Sequence, residues 1–169
     1  MSKHFSRLFV ILFASLLLVG GYTNSASAKQ ENQEVNGQVT TNFYNANCPS
    51  PIGICGMGPI SGGLNGMLNA VLTSQKETRK KGVLISTYYK GYVTIKTDHG
   101  ILEGSISTTI NETTQAVSAK IHIKHGTGSY NGAHGILNLT GQGSRNSGAT
   151  EDYRYSGWLK YGEDHESDD

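Results

Sequence analysis

A strict two-residue alternation restricts this chain more than any other feature. Over residues 116–124, Val117, Ala119, Ile121 and Ile123 are apolar, and Ser118, Lys120, His122 and Lys124 between and after them are polar. In a pleated strand successive side chains point to opposite faces, so a period of two builds one face for a core and one for water. A half-buried antiparallel strand fits that pattern; a helix does not. Similar β-rich runs cover 62–73, 83–97, 101–110, 135–141 and 152–161, separated by turn residues such as Asp98-His99-Gly100. In the last run Tyr153, Tyr155, Gly157, Leu159 and Tyr161 share a face. No window carries a convincing helical stripe, and the best candidate, 68–81, ends in polar residues. Short strands in series form a meander, and closing the meander removes the exposed edges that invite aggregation. The 22 glycines suit the sharp bends of closure. The expected fold class is all-β, a small antiparallel closed β-barrel.

The two ends read differently. Lys3 and Arg7 precede an apolar stretch over 8–19, and Ala26-Ser27-Ala28 offers the small residues a signal peptidase reads. That order is a secretory signal peptide over 1–28, of the Gram-positive type, and the expected location is extracellular. The rival is an uncleaved anchor, against which the apolar run is short of the about 20 residues a bilayer span needs. Removing 28 of 169 residues leaves 141, enough for one domain. Lys3 and Arg7 leave with the leader, so 12 basic residues face 13 acidic ones. Such a chain, without a basic stripe, is expected to bind no nucleic acid and to feel no strong general attraction to an anionic membrane. It is expected to keep no stable membrane anchor once the leader is cut. Cys48 and Cys55 in Cys48-Pro49-Ser50-Pro51-Ile52-Gly53-Ile54-Cys55 are expected to form a disulfide closing a small loop before the first strand. A metal site would need further soft ligands, and a redox pair usually shows C-x-x-C spacing. Residues 29–47 are polar and aperiodic, a flexible N-terminal segment or weak edge. The barrel domain is expected over 48–162, followed by an acidic tail over 163–169.

A local motif is used twice: His99-Gly100-Ile101-Leu102 returns as His134-Gly135-Ile136-Leu137, a turn glycine feeding an apolar strand start. Before the second copy, Gly126-Thr127-Gly128-Ser129-Tyr130-Asn131-Gly132-Ala133-His134-Gly135 resembles the G-T-G-x-[FY]-x-G-A-x-G segment of the allene oxide cyclase and dirigent-like barrels. Tyr155-Ser156-Gly157-Trp158-Leu159 fits the same pattern. The Cys48–Cys55 segment and Gly62-Gly63-Leu64-Asn65-Gly66 are similar to the lead-in and first strand of secreted bacterial relatives. The resemblance spans roughly 48–161 and implies an antiparallel barrel of about eight strands. It also implies an apolar lumen, which in the plant members holds a hydrophobic substrate. Six runs are plain, so two strands are expected elsewhere: from a split of 83–97 at Lys90-Gly91, and within 35–47. The plant enzymes depend on cavity carboxylates and polar groups that are not placed residue by residue in this sequence, so no catalytic residue is assigned.

The candidate ligand-binding residues are Tyr89, Tyr153 and Tyr155, since phenols lining a lumen give apolar walls with polar tips; ordinary cross-strand packing is the alternative. In a meander alternate turns fall at one end, which should gather Asp98, His99, His125 and His134 on a shared rim. Such a cluster is either a weak metal-binding or pH-sensing candidate or a set of exposed turn residues. His122 and His125 cannot chelate from one regular strand, because an odd offset sends them to opposite faces. Glu103 is the one acid inside a convincing run, and the face defined by Leu102, Ile106, Thr108 and Ile110 puts it outside. Gly141-Gln142-Gly143-Ser144 is not a nucleophile elbow, and Gly126-Thr127-Gly128 opens no helix to hold a phosphate. No cofactor is expected. The function expected is a secreted small barrel binding a small hydrophobic or amphipathic ligand. The alternatives are an isomerase or cyclase of the allene oxide cyclase-like type, and a cell-surface or matrix interaction protein using exterior tyrosines. A filled lumen favours the interaction role, an open tyrosine-lined lumen without a carboxylate favours binding, and an inward Glu103 favours the enzyme.

Overall fold

The structure, a computed structural model, describes residues 32–143 and 150–162. Eight antiparallel strands follow one another around a closed barrel: β1 (Gln33–Tyr44), β2 (Ile54–Gly62), β3 (Gly66–Lys80), β4 (Val83–Thr97), β5 (Gly100–Asn111), β6 (Ala116–Gly126), β7 (His134–Gln142) and β8 (Thr150–Lys160). β8 returns to pair with β1, from Gln33↔Leu159 to Asn42↔Thr150, so the meander closes on itself. The alternation over β6 is reproduced: Val117, Ala119, Ile121 and Ile123 are buried, and the residues between them are exposed.

The strand expected within 35–47 is present, and two other expectations about the strands are corrected. Residues 33–44 are not a flexible lead-in but β1, a full stave hydrogen-bonded to β2 and β8, so the barrel begins there and not at 48. Its inward stripe of Val35, Gly37, Val39 and Thr41 mixes small and polar residues, which blurs the period-two signal. The 83–97 run does not split at Lys90-Gly91 and stays one strand. Gly91 faces a bulge in β3 between Leu72 and Ser74, and a Cβ there would stand 2.1 Å from the Val71 carbonyl oxygen. Glycine therefore admits a bend without a break. The remaining strand is β2, whose sequence Ile-Cys-Gly-Met-Gly-Pro-Ile-Ser-Gly carries the glycines and proline that usually mark turns.

The barrel has a closed end and an open end. The β2–β3, β4–β5 and β6–β7 connections fall at the closed end, where Leu64, Tyr130 and Ala133 fold inward over Ile95, Leu102, Ile121, Leu137 and Leu159. Each such aliphatic side chain taken from water stabilises the fold by about 1.5–3 kcal/mol. The Leu64 N–H donates to the Tyr155 hydroxyl at 2.8 Å, so the plug is also tied to β8. At the open end, the β1–β2 loop over 45–53 is held by the Cys48–Cys55 disulfide, with an S–S distance of 2.07 Å. Cys55 lies inside β2, so the bond fastens a loop between two staves and not the approach to the first one. The buried Ser50 hydroxyl donates to the Leu72 carbonyl and accepts the Ile52 N–H at 3.1 Å, seating the loop against β3.

Candidate functional site

The open end contains a cavity of about 440 Å³. The inward stripes that fill the closed end become small or polar here. Ile121 and Ile123 of β6 give way to Ala119, and Leu137 of β7 is followed by Leu139 and then Gly141. Ala70, Thr87 and Thr108 likewise leave space, while Leu68, Leu72, Ile110 and Val117 keep the walls apolar. Ligand sites commonly combine such a wall with a few placed polar groups.

Those groups come from β3, β4, β8 and the turn after β5. Glu151, at the start of β8, is 5% exposed and accepts the hydroxyl of Tyr153, two residues along the same face. Glu112 follows β5, its N–H donating to the Ile85 carbonyl at 3.0 Å, and its Oε1 accepts the Thr87 hydroxyl at 2.5 Å. Gln115 donates from its side-chain amide to the Glu112 carbonyl at 2.8 Å, fixing that turn. Glu77 reaches the mouth from β3 and pairs with Arg79 at 2.7 Å. Burial first, and the nearby charges of Glu112 and Glu77 next, push the Tyr89 phenol above its ordinary value, so it remains a protonated donor at neutral pH. Apolar contact can hold a ligand in this space, and carboxylate acceptors with phenol donors can orient it.

Of the three tyrosines singled out, Tyr89 and Tyr153 line the cavity. Tyr155 lies one step deeper, 2% exposed, with its oxygen engaged by Leu64. Of the remaining aromatics, Tyr130 and Tyr161 meet edge to face at 5.3 Å, while Tyr92 faces outward and is 66% exposed. The histidine-bearing turns do share a rim, the closed one: Ser129 N–H donates to the His99 carbonyl at 2.8 Å. Their side chains do not converge. His134 sits edge-on to Trp158 at 6.2 Å, and His125 is exposed on β6 opposite Glu103. Among the described residues no three His, Cys, Asp or Glu side chains form a metal-holding group, which leaves Asp98, His99, His125 and His134 as separate surface residues. Glu103 is exposed on β5, as its place in the alternation requires.

The cavity carboxylates Glu112 and Glu151 were missed by sequence reasoning, although a signal existed. Glu112 continues the inward series Ile106, Thr108, Ile110, and Glu151 precedes Tyr153, Tyr155, Gly157 and Leu159 on theirs. Both lie just past the ends assigned to their runs. The leader over 1–28 and the tail over 163–169 fall outside the described residues. The disulfide is compatible with an oxidising, extracellular setting. No protein-family model, curated protein or solved structure matches this chain.

Proposed function

We propose that this chain is an exported barrel that binds a small hydrophobic or amphipathic molecule in its open end, and that it is a secreted bacterial relative of the allene oxide cyclase and dirigent-like barrels. The observation that carries the ligand reading is the 440 Å³ cavity, walled by aliphatic side chains and tipped by Tyr89, Tyr153, Glu112 and Glu151. A barrel stabilised by core volume alone would fill that space, since a void costs the contacts its lining atoms lose. The leader-like N-terminus supports export.

A second reading, an isomerase or cyclase, is favoured by the two cavity carboxylates, Glu112 and Glu151, which the lumen expected of a binder lacks. A carboxylate beside a phenol in a water-poor space can act as a general base toward a bound ligand. The exterior-interaction reading has less support, because Tyr89 and Tyr153 face the lumen and not the surface.

Native mass spectrometry of protein purified from its own culture medium tests the binding reading, together with uptake of a fluorescent fatty alcohol. The expected result is a co-purifying small molecule and saturable uptake. Ala119→Leu is expected to reduce uptake at least tenfold while leaving the β-sheet circular dichroism intact, because it fills the cavity from a rigid strand. A bare mass with no uptake would remove the binding reading. Glu151→Gln separates the two readings. Uptake that persists with conversion of the extracted ligand lost would favour the enzyme, and an unchanged, unconverted ligand would favour the binder.

A further inference from the structure

The β3–β4 hairpin is longer than the barrel it belongs to. β2 leaves β3 after the Ile54↔Leu72 pair, and β5 leaves β4 after Ser86↔Asn111. Residues 73–80, at roughly 3.3 Å each, therefore run about 25 Å past the last β2 pair. Beyond Ile85, whose carbonyl still accepts the Glu112 N–H at 3.0 Å, the hairpin is paired only with itself, around a two-residue turn with positive φ at Lys81 (50°) and Gly82 (81°). Part of the cavity mouth is formed by Gln75 and Glu77 on β3 and by Leu84, one pair from the turn, on β4.

Its charge is one-sided. Lys76, Arg79, Lys80 and Lys81 lie within six residues with a single acid, Glu77, which pairs with Arg79. The residues from 74 to 83 are all exposed, and Val83 at the tip is 64% exposed. Edge protection accounts for charge on β3, whose side toward β2 offers unpaired backbone groups. It does not account for a single sign, since glutamates would serve as well, nor for an exposed valine beside the lysines. Cations around an exposed apolar residue are what a peripheral anchor needs, the charges for anionic headgroups and the side chain for the acyl boundary. A near-zero total conceals this arrangement, because five acids over 163–169 offset it in the sum.

We infer that the β3–β4 hairpin docks the open end of the barrel on an anionic lipid bilayer, with Lys76, Lys80 and Lys81 on the headgroups and Val83 at the acyl boundary. Docking in this pose places the cavity mouth against the source of an amphipathic ligand. The inference stands on the hairpin and not on the cavity, so it can fail while ligand binding survives, or the reverse.

Vesicle co-sedimentation of the mature protein tests it, comparing phosphatidylcholine with phosphatidylcholine containing phosphatidylglycerol. Binding is expected only with phosphatidylglycerol and is expected to weaken as salt rises. At about 1 kcal/mol per lysine, Lys76→Gln with Lys80→Gln should weaken it roughly thirtyfold. Val83→Ser should weaken it roughly fivefold at unchanged charge. None of these three residues lines the cavity, so fatty-alcohol uptake without vesicles should persist and show that the variants fold. Equal binding to both vesicle types, no binding to either, or indifference to the lysine substitutions would overturn docking. So would a soluble glycerol-phosphate polymer that binds as tightly as vesicles with Val83→Ser silent, since the surface would then serve a polymer and not a membrane.

Discussion

At the scale of single residues, the tyrosines of β8 show how depth sets a role. Tyr153 and Tyr155 share a face two residues apart. The first gives its hydroxyl to Glu151 at the cavity, and the second accepts the Leu64 N–H that holds the plug. Tyr155→Phe keeps the ring and leaves that buried N–H without its acceptor. Such a group costs about 1–3 kcal/mol, to be seen as a lowered urea midpoint with an unchanged slope. Fatty-alcohol uptake should be little altered, because the lost bond belongs to the closed end. That the two tyrosines face inward was legible from their spacing with Gly157 and Leu159. Which of them meets empty space was not, because depth depends on what the loops of the other strands place beneath.

At the scale of elements, the disulfide loop is the part whose removal tests the mouth. Cys48 and Cys55 are 7 residues apart, with Cα atoms 5.7 Å from each other. Closing so short a loop limits the unfolded chain by about 2–3 kcal/mol at room temperature. Replacing both cysteines by serine should lower unfolding stability by that order in urea. It should lower ligand uptake as well, since Asn45 and Gly53 of this loop line the mouth. Loss of stability with uptake preserved would assign the bond to the fold alone. The pairing was legible because only two cysteines exist in the chain. The place it fastens was not, since β2 reads as a turn-rich segment until its glycines are seen facing β1. There the Thr40 carbonyl leaves no room for a Cβ on Gly58.

At the scale of the whole molecule, burial acts on the phenols together. The pKa values of Tyr89, Tyr155 and Tyr161 are all raised above the ordinary 10.0, with desolvation the leading cause in each. Below that pH the phenols are protonated whether the chain is folded or not, and stability is unaffected by them. Above it the unfolded chain gives up these protons first, so stability falls as pH rises through and beyond about 10. Urea midpoints that decline from about pH 9 to about pH 11, with late-titrating phenols in the ultraviolet spectrum, are expected; a flat profile would contradict the burial. The sequence by itself determined that this chain makes antiparallel sheet, which faces of its clear strands turn inward, and that its two cysteines pair. Those properties follow from period, parity and elimination, each local or countable. Only the tertiary structure decided that 33–44 closes the barrel, that one end is plugged and the other hollow, and that Glu112 and Glu151 meet Tyr89 and Tyr153 there. Closure and depth arise from the stagger of eight strands against one another, and no single strand carries that information.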